Sequence, residues 1–161
     1  MLLNGTSHAL DHVYVEPSPT NLFDSPRNPA PIAPTASLYV SGLTPGDWDV
    51  FIVVHGAETN FMALNYLTVS VSAGETVPIP LVDADFSGKF RVTNAGTVDL
   101  TGFSAFGNML DAPVATGATV IPPYNFPAGT YYVRCQFDGG AWSEPASFTI
   151  APFTVTDVTC G

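Results

Sequence analysis

The chain has 161 residues, room for one ordinary domain or for two small ones of about 75 to 80 residues, each with a real core, and too little for a large multidomain enzyme. Hydrophobic residues make up 46% of it and charged residues only 11%, well under the roughly 25% of an average domain, so much of the surface must be uncharged. Arg27, Lys89, Arg91 and Arg134 face 14 carboxylates, for a net charge of −10, and form no run; nucleic acid and anionic membranes are therefore excluded as expected partners.

In chain order, residues 1–12 hold neither a basic n-region nor an apolar run of signal-peptide length, and nothing later is long enough to span a bilayer. Synthesis and retention in a cytoplasm are expected, with a trimmed leader as the alternative. On that ground the sequon Asn4-Gly5-Thr6 is set aside. His8 and His12 have the i, i+4 spacing of zinc ligands but lack the Glu of HExxH and run into a strand, so no metal is expected there. Alternation at period two, bounded by Gly, Pro, Asn or Asp, predicts strands over 10–15, 37–42, 48–55, 65–72, 76–82, 89–94, 97–103, 118–122, 130–138, 146–150 and 153–158. No window sustains a helical period, and the expected class is all-β.

Between the first two strands, residues 16–36 carry six prolines together with Leu22, Phe23 and Ile32. Proline at this density cannot feed a central ladder. The segment reads either as a long surface loop or as an arm along a neighbouring subunit, anchored by Leu22, Phe23 and Ile32. The prolines of Val77-Pro78-Ile79-Pro80 suit a protected sheet edge. A boundary is expected within residues 82–88, giving an N-terminal domain over 1–82 and a C-terminal one over 83–161. Cys135 and Cys160 have no metal-binding spacing and are expected to be free thiols rather than a disulfide.

The chain repeats itself at an offset of 83. Residues 46–56 align without a gap on 129–139, both reading G-x-aromatic-x-V-x-apolar-x-apolar-x-G, with Leu43-Thr44-Pro45 ahead of one and Phe126-Pro127 ahead of the other. Gly and Pro make the turn, Trp48 or Tyr131 plugs the end of a core, and three residues at period two point into it. This pattern is similar to the E–F corner and F strand of immunoglobulin-like and fibronectin type III-like sandwiches. The resemblance implies two small tandem β-sandwiches, with Trp48 and Tyr131 as corner aromatics. The cysteine pair and intervening buried Trp of antibody domains are missing, so only the broad fold carries over.

The copies differ on their outer faces. Outward positions of the second are Tyr132, Arg134, Gln136 and Asp138; in the first they are Asp49, Phe51, Val53 and His55. Phe51 and Val53 need a cover, either the Pro-rich segment, the other domain or another subunit, and an interface of Leu22, Phe23, Ile32, Phe51, Val53 and His55 is expected. Asp47 with Asp49, and Asp83 with Asp85, are too few for calcium without further acidic ligands. No nucleophile motif, P-loop or dinucleotide fingerprint is present, so no enzyme and no cofactor is expected. Tyr124, Phe126 and Trp142 offer rings for a sugar or caps for a core. Phage virions commonly carry immunoglobulin-like sandwiches, and by that resemblance the chain is expected to be a structural virion protein, a capsid decoration or head-fibre protein of a bacteriophage. It would assemble in the host cytoplasm and contact the major capsid protein, other virion proteins and sister copies. The alternative is a carbohydrate-binding or adhesin module.

Overall fold

The computed structural model describes residues 1–20, 22–64 and 67–161. The chain is all-β and divides into two compact units, Met1–Phe86 and Ser87–Gly161. The division falls four residues beyond position 82, because the 3-10 turn Asp83–Asp85 and the fully buried Phe86, bridged to Ala63, stay with the first unit.

The first unit contains β1 (Leu2–Asn4), β2 (His12–Pro17), β3 (Ser37–Leu38), β4 (Gly46–His55), β5 (Asn60–Met62), β6 (Leu67–Val71) and β7 (Ile79–Leu81). One sheet has the order β3-β1-β7; in the other, β4 pairs with β2 along one edge and with β5 and β6 along the other. The second unit contains β8 (Lys89–Asn94), β9 (Leu100–Ser104), β10 (Thr119–Val120), β11 (Gly129–Phe137), β12 (Ala146–Ile150) and β13 (Val155–Cys160), in sheets β10-β8-β13 and β12-β11-β9. In each unit the first and last strands pair in parallel and the remaining pairs are antiparallel. Inward residues of all five long strands of the second unit, among them Phe90, Val92, Phe103, Val133, Ile150 and Val158, make its core. Each unit is thus a sandwich of the kind that alternating apolar positions on two sheets require.

The repeat reaches well beyond the segment around Trp48 and Tyr131. Leu10 exchanges backbone hydrogen bonds with Ile32, and Leu100 with Val114. Asn4 and Asn94 end the first strand of their units, and each donates its Nδ2 to the carbonyl four residues on (His8, Val98) and to a distant one (Ile32, Val114). Pro31-Ile32-Ala33-Pro34-Thr35-Ala36-Ser37-Leu38 matches Pro113-Val114-Ala115-Thr116-Gly117-Ala118-Thr119-Val120 in sequence. Thr35 and Gly117 share a left-handed backbone at φ 65° and 76°.

Several expectations need correction. Cys135 and Cys160 are not free thiols: they form a disulfide with a Cα–Cα distance of 5.9 Å, joining β11 of one sheet to β13 of the other. Spacing could not reveal this, because the two strands meet only when the sandwich closes. The Pro-rich stretch is no free arm over its second half. Arg27 donates its backbone N–H to Val13 O and its guanidinium twice to Val15 O. Buried Asn28 accepts from Val13 N and donates to Asp11 O and Ala30 O, and Ile32 lies in the core at 6% exposure. The strand expected over 37–42 stops at Leu38, and Tyr39 is 64% exposed. β1 and β5, at three residues each, are too short to show alternation. Of the strand expected over 65–72, Leu67–Val71 form β6, while Asn65 and Tyr66 lie outside the described residues.

Candidate interaction surface

The alternation of β4 turns Trp48, Val50, Ile52 and Val54 inward and leaves Asp49, Phe51, Val53 and His55 on the outer face. There they meet the outward residues of β2 in register: Tyr14 opposite Phe51, His12 opposite Val53, Glu16 opposite Asp49. Phe51 is half-buried beneath Phe23, the two rings stacked with centroids 5.2 Å apart, and Tyr14 lies 5.9 Å from Phe23 and 6.1 Å from Phe51. The Pro-rich segment therefore supplies a cover for its own sheet, one of the explanations open from the sequence. Leu22, next to Phe23, is left 71% exposed.

Beside the aromatic group, His12 and His55 pack edge to face at 4.7 Å. Asp11 accepts the backbone N–H of His55 at 2.6 Å and lies 3.9 Å from its Nδ1. Val53, between His12 and Met62 on neighbouring strands, is only 7% exposed. Of the six residues expected at an interface, Ile32 and Val53 are thus buried within their own unit. Phe23 and Phe51 form a half-covered shelf, and Leu22 and His55 are exposed. Tyr14 and His12 belong to the same surface and were missed, although their place opposite Phe51 and Val53 follows once β2 and β4 are paired.

The carboxylates of this unit singled out by the sequence are held by hydroxyl and amide donors. Asp49 accepts from Thr68 Oγ1 and from Thr20 N–H, and these bonds, the Thr68 hydroxyl first, then Thr20 and the Ser18 hydroxyl, hold its carboxyl below the usual value of 3.8. Asp47 accepts from Ser70 Oγ, Asp83 takes both the N–H and the hydroxyl of Ser7, and Asp85 accepts from Val82 N–H. These acids tie strands and turns together. Among the described residues no group of three or more His, Cys, Asp or Glu is placed to hold a metal ion.

The two corner aromatics play the same part. Trp48 donates Nε1–H to Thr44 O at 3.0 Å, and Tyr131 donates its hydroxyl to Pro127 O at 2.8 Å, each reaching four residues back. Both bonds fix the turn ahead of the strand to its first inward ring, and partial burial raises the Tyr131 phenol above its ordinary pKa. On the second unit, Phe126 is core and not a sugar platform, whereas Trp142, 37% exposed, lies against Gly102 and Gln136 on the outer face that also carries Tyr132 and Arg134.

The fold and its surfaces define an all-β protein of two sandwich units. No family model matches the chain, and no curated protein does. It is similar to a solved structure described as the Bacillus anthracis TIE protein, at a TM-score of 0.35 and 13% identity, over 99% of this chain and 32% of that one. The chain spans about a third of that protein's length.

Proposed function

We propose that this chain is a non-enzymatic structural protein of a virus particle, in its most specific form a capsid decoration or head-fibre protein of a bacteriophage, with the first unit attaching and the second projecting. The observation that carries this reading is the contrast between equivalent strands. Half-buried Phe51 on the outer face of β4, stacked on Phe23 next to exposed Leu22, stands where β11 has solvent-exposed Arg134. An aromatic shelf on one repeat, where the equivalent position of the other is a solvated arginine, is what one contact-making unit and one projecting unit require. The scarcity of charge and the disulfide both fit a protein that must persist outside a cell. The acidic surface favours a basic docking rim, whose effect falls mainly on the association rate.

The test is incorporation into particles. The chain is expected in purified virions at a copy number matching shell symmetry. Phe51→Asp combined with Leu22→Asp is expected to lower incorporation at least about tenfold, the ratio for 1.4 kcal/mol of lost contact, with the second unit still folded by NMR. Absence from particles, or unchanged incorporation of the double variant, overturns the reading. The exposed Trp142 and Tyr132 on one face favour a second reading as a glycan-binding module; a glycan-array signal abolished by Trp142→Ala would support it instead.

A further inference from the structure

On the outer face of the second unit, Gln136 of β11 lies between Gly102 of β9, its partner in the sheet, and Trp142, to which it is bridged on the other side. Trp142 therefore starts two strand spacings from Gly102, about 9 to 10 Å away. Its Cη2 nevertheless comes so close to Gly102 that a Cβ there would stand 2.6 Å from it. The indole covers that span only by lying along the sheet, across Gln136, instead of standing up from it. Gly102 is what lets the ring lie down, since any side chain at that position would occupy the place of its far edge. Gln136 is pinned beside it, donating Nε2–H to Gly140 O at 2.7 Å. The first unit has no such platform: His12 and Val53 are paired where the second unit has Gly102 and Gln136.

The same face carries a cation with no ion partner. Arg134 precedes Gln136 by two residues on β11, so its side chain leaves the same face about 7 Å away. Tyr132 stands one such step further on, 68% exposed. Of the four Lys and Arg residues, Arg27 pairs with Glu16, Arg91 pairs with Asp157, and Lys89 is buried. Arg134 is exposed and, among the described residues, makes no ion pair, in a chain whose net charge is −10. Neither Asp138 on the same strand nor Glu144 beyond Trp142 is bonded to it.

We propose that this strip binds a saccharide carrying a carboxylate: the apolar C–H face of one sugar ring packs on the Trp142 indole, and the carboxylate of that ring or the next accepts from the guanidinium fork of Arg134. Tyr132 offers a further ring along the same line. The proposal rests on the glycan-binding reading of this unit and narrows the ligand from sugars in general to acidic ones. The net charge of −10 disfavours a densely charged polyanion, so the fitting ligand has an isolated carboxylate among neutral rings.

Two monocarboxylate probes test it, titrated into the 161-residue chain and followed by NMR: 3′-sialyllactose, with lactose as its neutral counterpart, and a glucuronic acid–hexose disaccharide, with its methyl ester as the neutral counterpart. Saturable shifts at Trp142, Arg134 and Gln136 are expected with at least one of the acids, at an affinity at least about tenfold above that of its counterpart, as a charge-assisted pair requires. Which acid does so tells a sialic acid from a uronic acid. Arg134→Gln is expected to erase the preference for the acid and leave the weak binding of the neutral sugar unchanged, and Trp142→Ala is expected to abolish both. If the neutral sugars bind as tightly as the acids, or the preference survives Arg134→Gln, the proposal is overturned while the glycan reading stands. If acid binding survives Trp142→Ala, the sugar sits elsewhere and the proposal is overturned. If none of these sugars binds at millimolar concentration the proposal is likewise overturned, and a blank glycan array would then remove the broader reading as well.

Discussion

Asn4 and Asn94 show how much a single side chain can organise without any sign in its immediate neighbours. Each is nearly inaccessible; its Nδ2 satisfies two carbonyls and its Oδ1 accepts the N–H two residues on, from Thr6 and Gly96 respectively. In isolation Asn4-Gly5-Thr6 reads as a glycosylation signal; in the fold its amide is committed, and Asn94, outside any sequon, makes the same bonds. Thr35 is the opposite case, a β-branched residue in a left-handed backbone that its counterpart Gly117 adopts freely. Thr35→Gly is expected to stabilise the first unit by about 1 kcal/mol, the left-handed penalty of an L-residue less the added freedom of the unfolded chain, measured by denaturant unfolding; a loss of stability would show that the Thr35 side chain contributes more than its backbone costs. Asp49 adds a pH dependence. Because its folded pKa is lowered, the stability it contributes is fully present above the ordinary value of 3.8 and is lost as pH falls through the lower folded value. Asp49→Asn is therefore expected to destabilise the first unit at neutral pH, with the gap from the parent protein closing below pH 3.8; a gap that stays constant with pH would contradict this.

At the scale of elements, β4 and β11 are the same strand with different duties. Their inward residues correspond, but Cys135 stands where β4 has Ile52, and Cys160 on β13 stands where β7 has Leu81. Both apolar replacements are fully buried. One unit thus joins its sheets covalently and the other by packing. Closing a loop over a separation of 25 residues restricts the unfolded chain by about 3 kcal/mol. Replacing Cys135 and Cys160 together by Ser is expected to lower the stability of the second unit by about that amount and to leave the first unit's melting unchanged. A double variant as stable as the parent would mean that the bridge adds nothing beyond packing. Strand positions were largely legible, since β8 and β12 occupy the expected 89–94 and 146–150 and β4 and β11 begin within two residues of expectation. Those strands are long enough for period two to show. The Pro-rich segment was legible only as irregular. Its anchoring by Arg27 and Asn28 depends on carbonyls and amides of β2, which carry no residue-specific signature.

At the scale of the whole molecule, two units share one plan down to the parallel pairing of first and last strands, the buried asparagine and the corner aromatic, while their surfaces diverge. Composition alone pointed to a surface poor in charge; the fold assigns that character to a particular place, the Phe23–Phe51–Tyr14 shelf of the first unit. The sequence by itself determined the all-β class, the tandem repeat, the acidic character and the corner aromatics, because alternation, turn residues and charge are local properties that survive in one dimension. Only the tertiary structure decided that the cysteines are bonded, that Ile32 and Val53 are interior, and that Phe23 folds back over Phe51. Each of these depends on which strands lie side by side and in what register, and that is set by long-range packing of the two sheets.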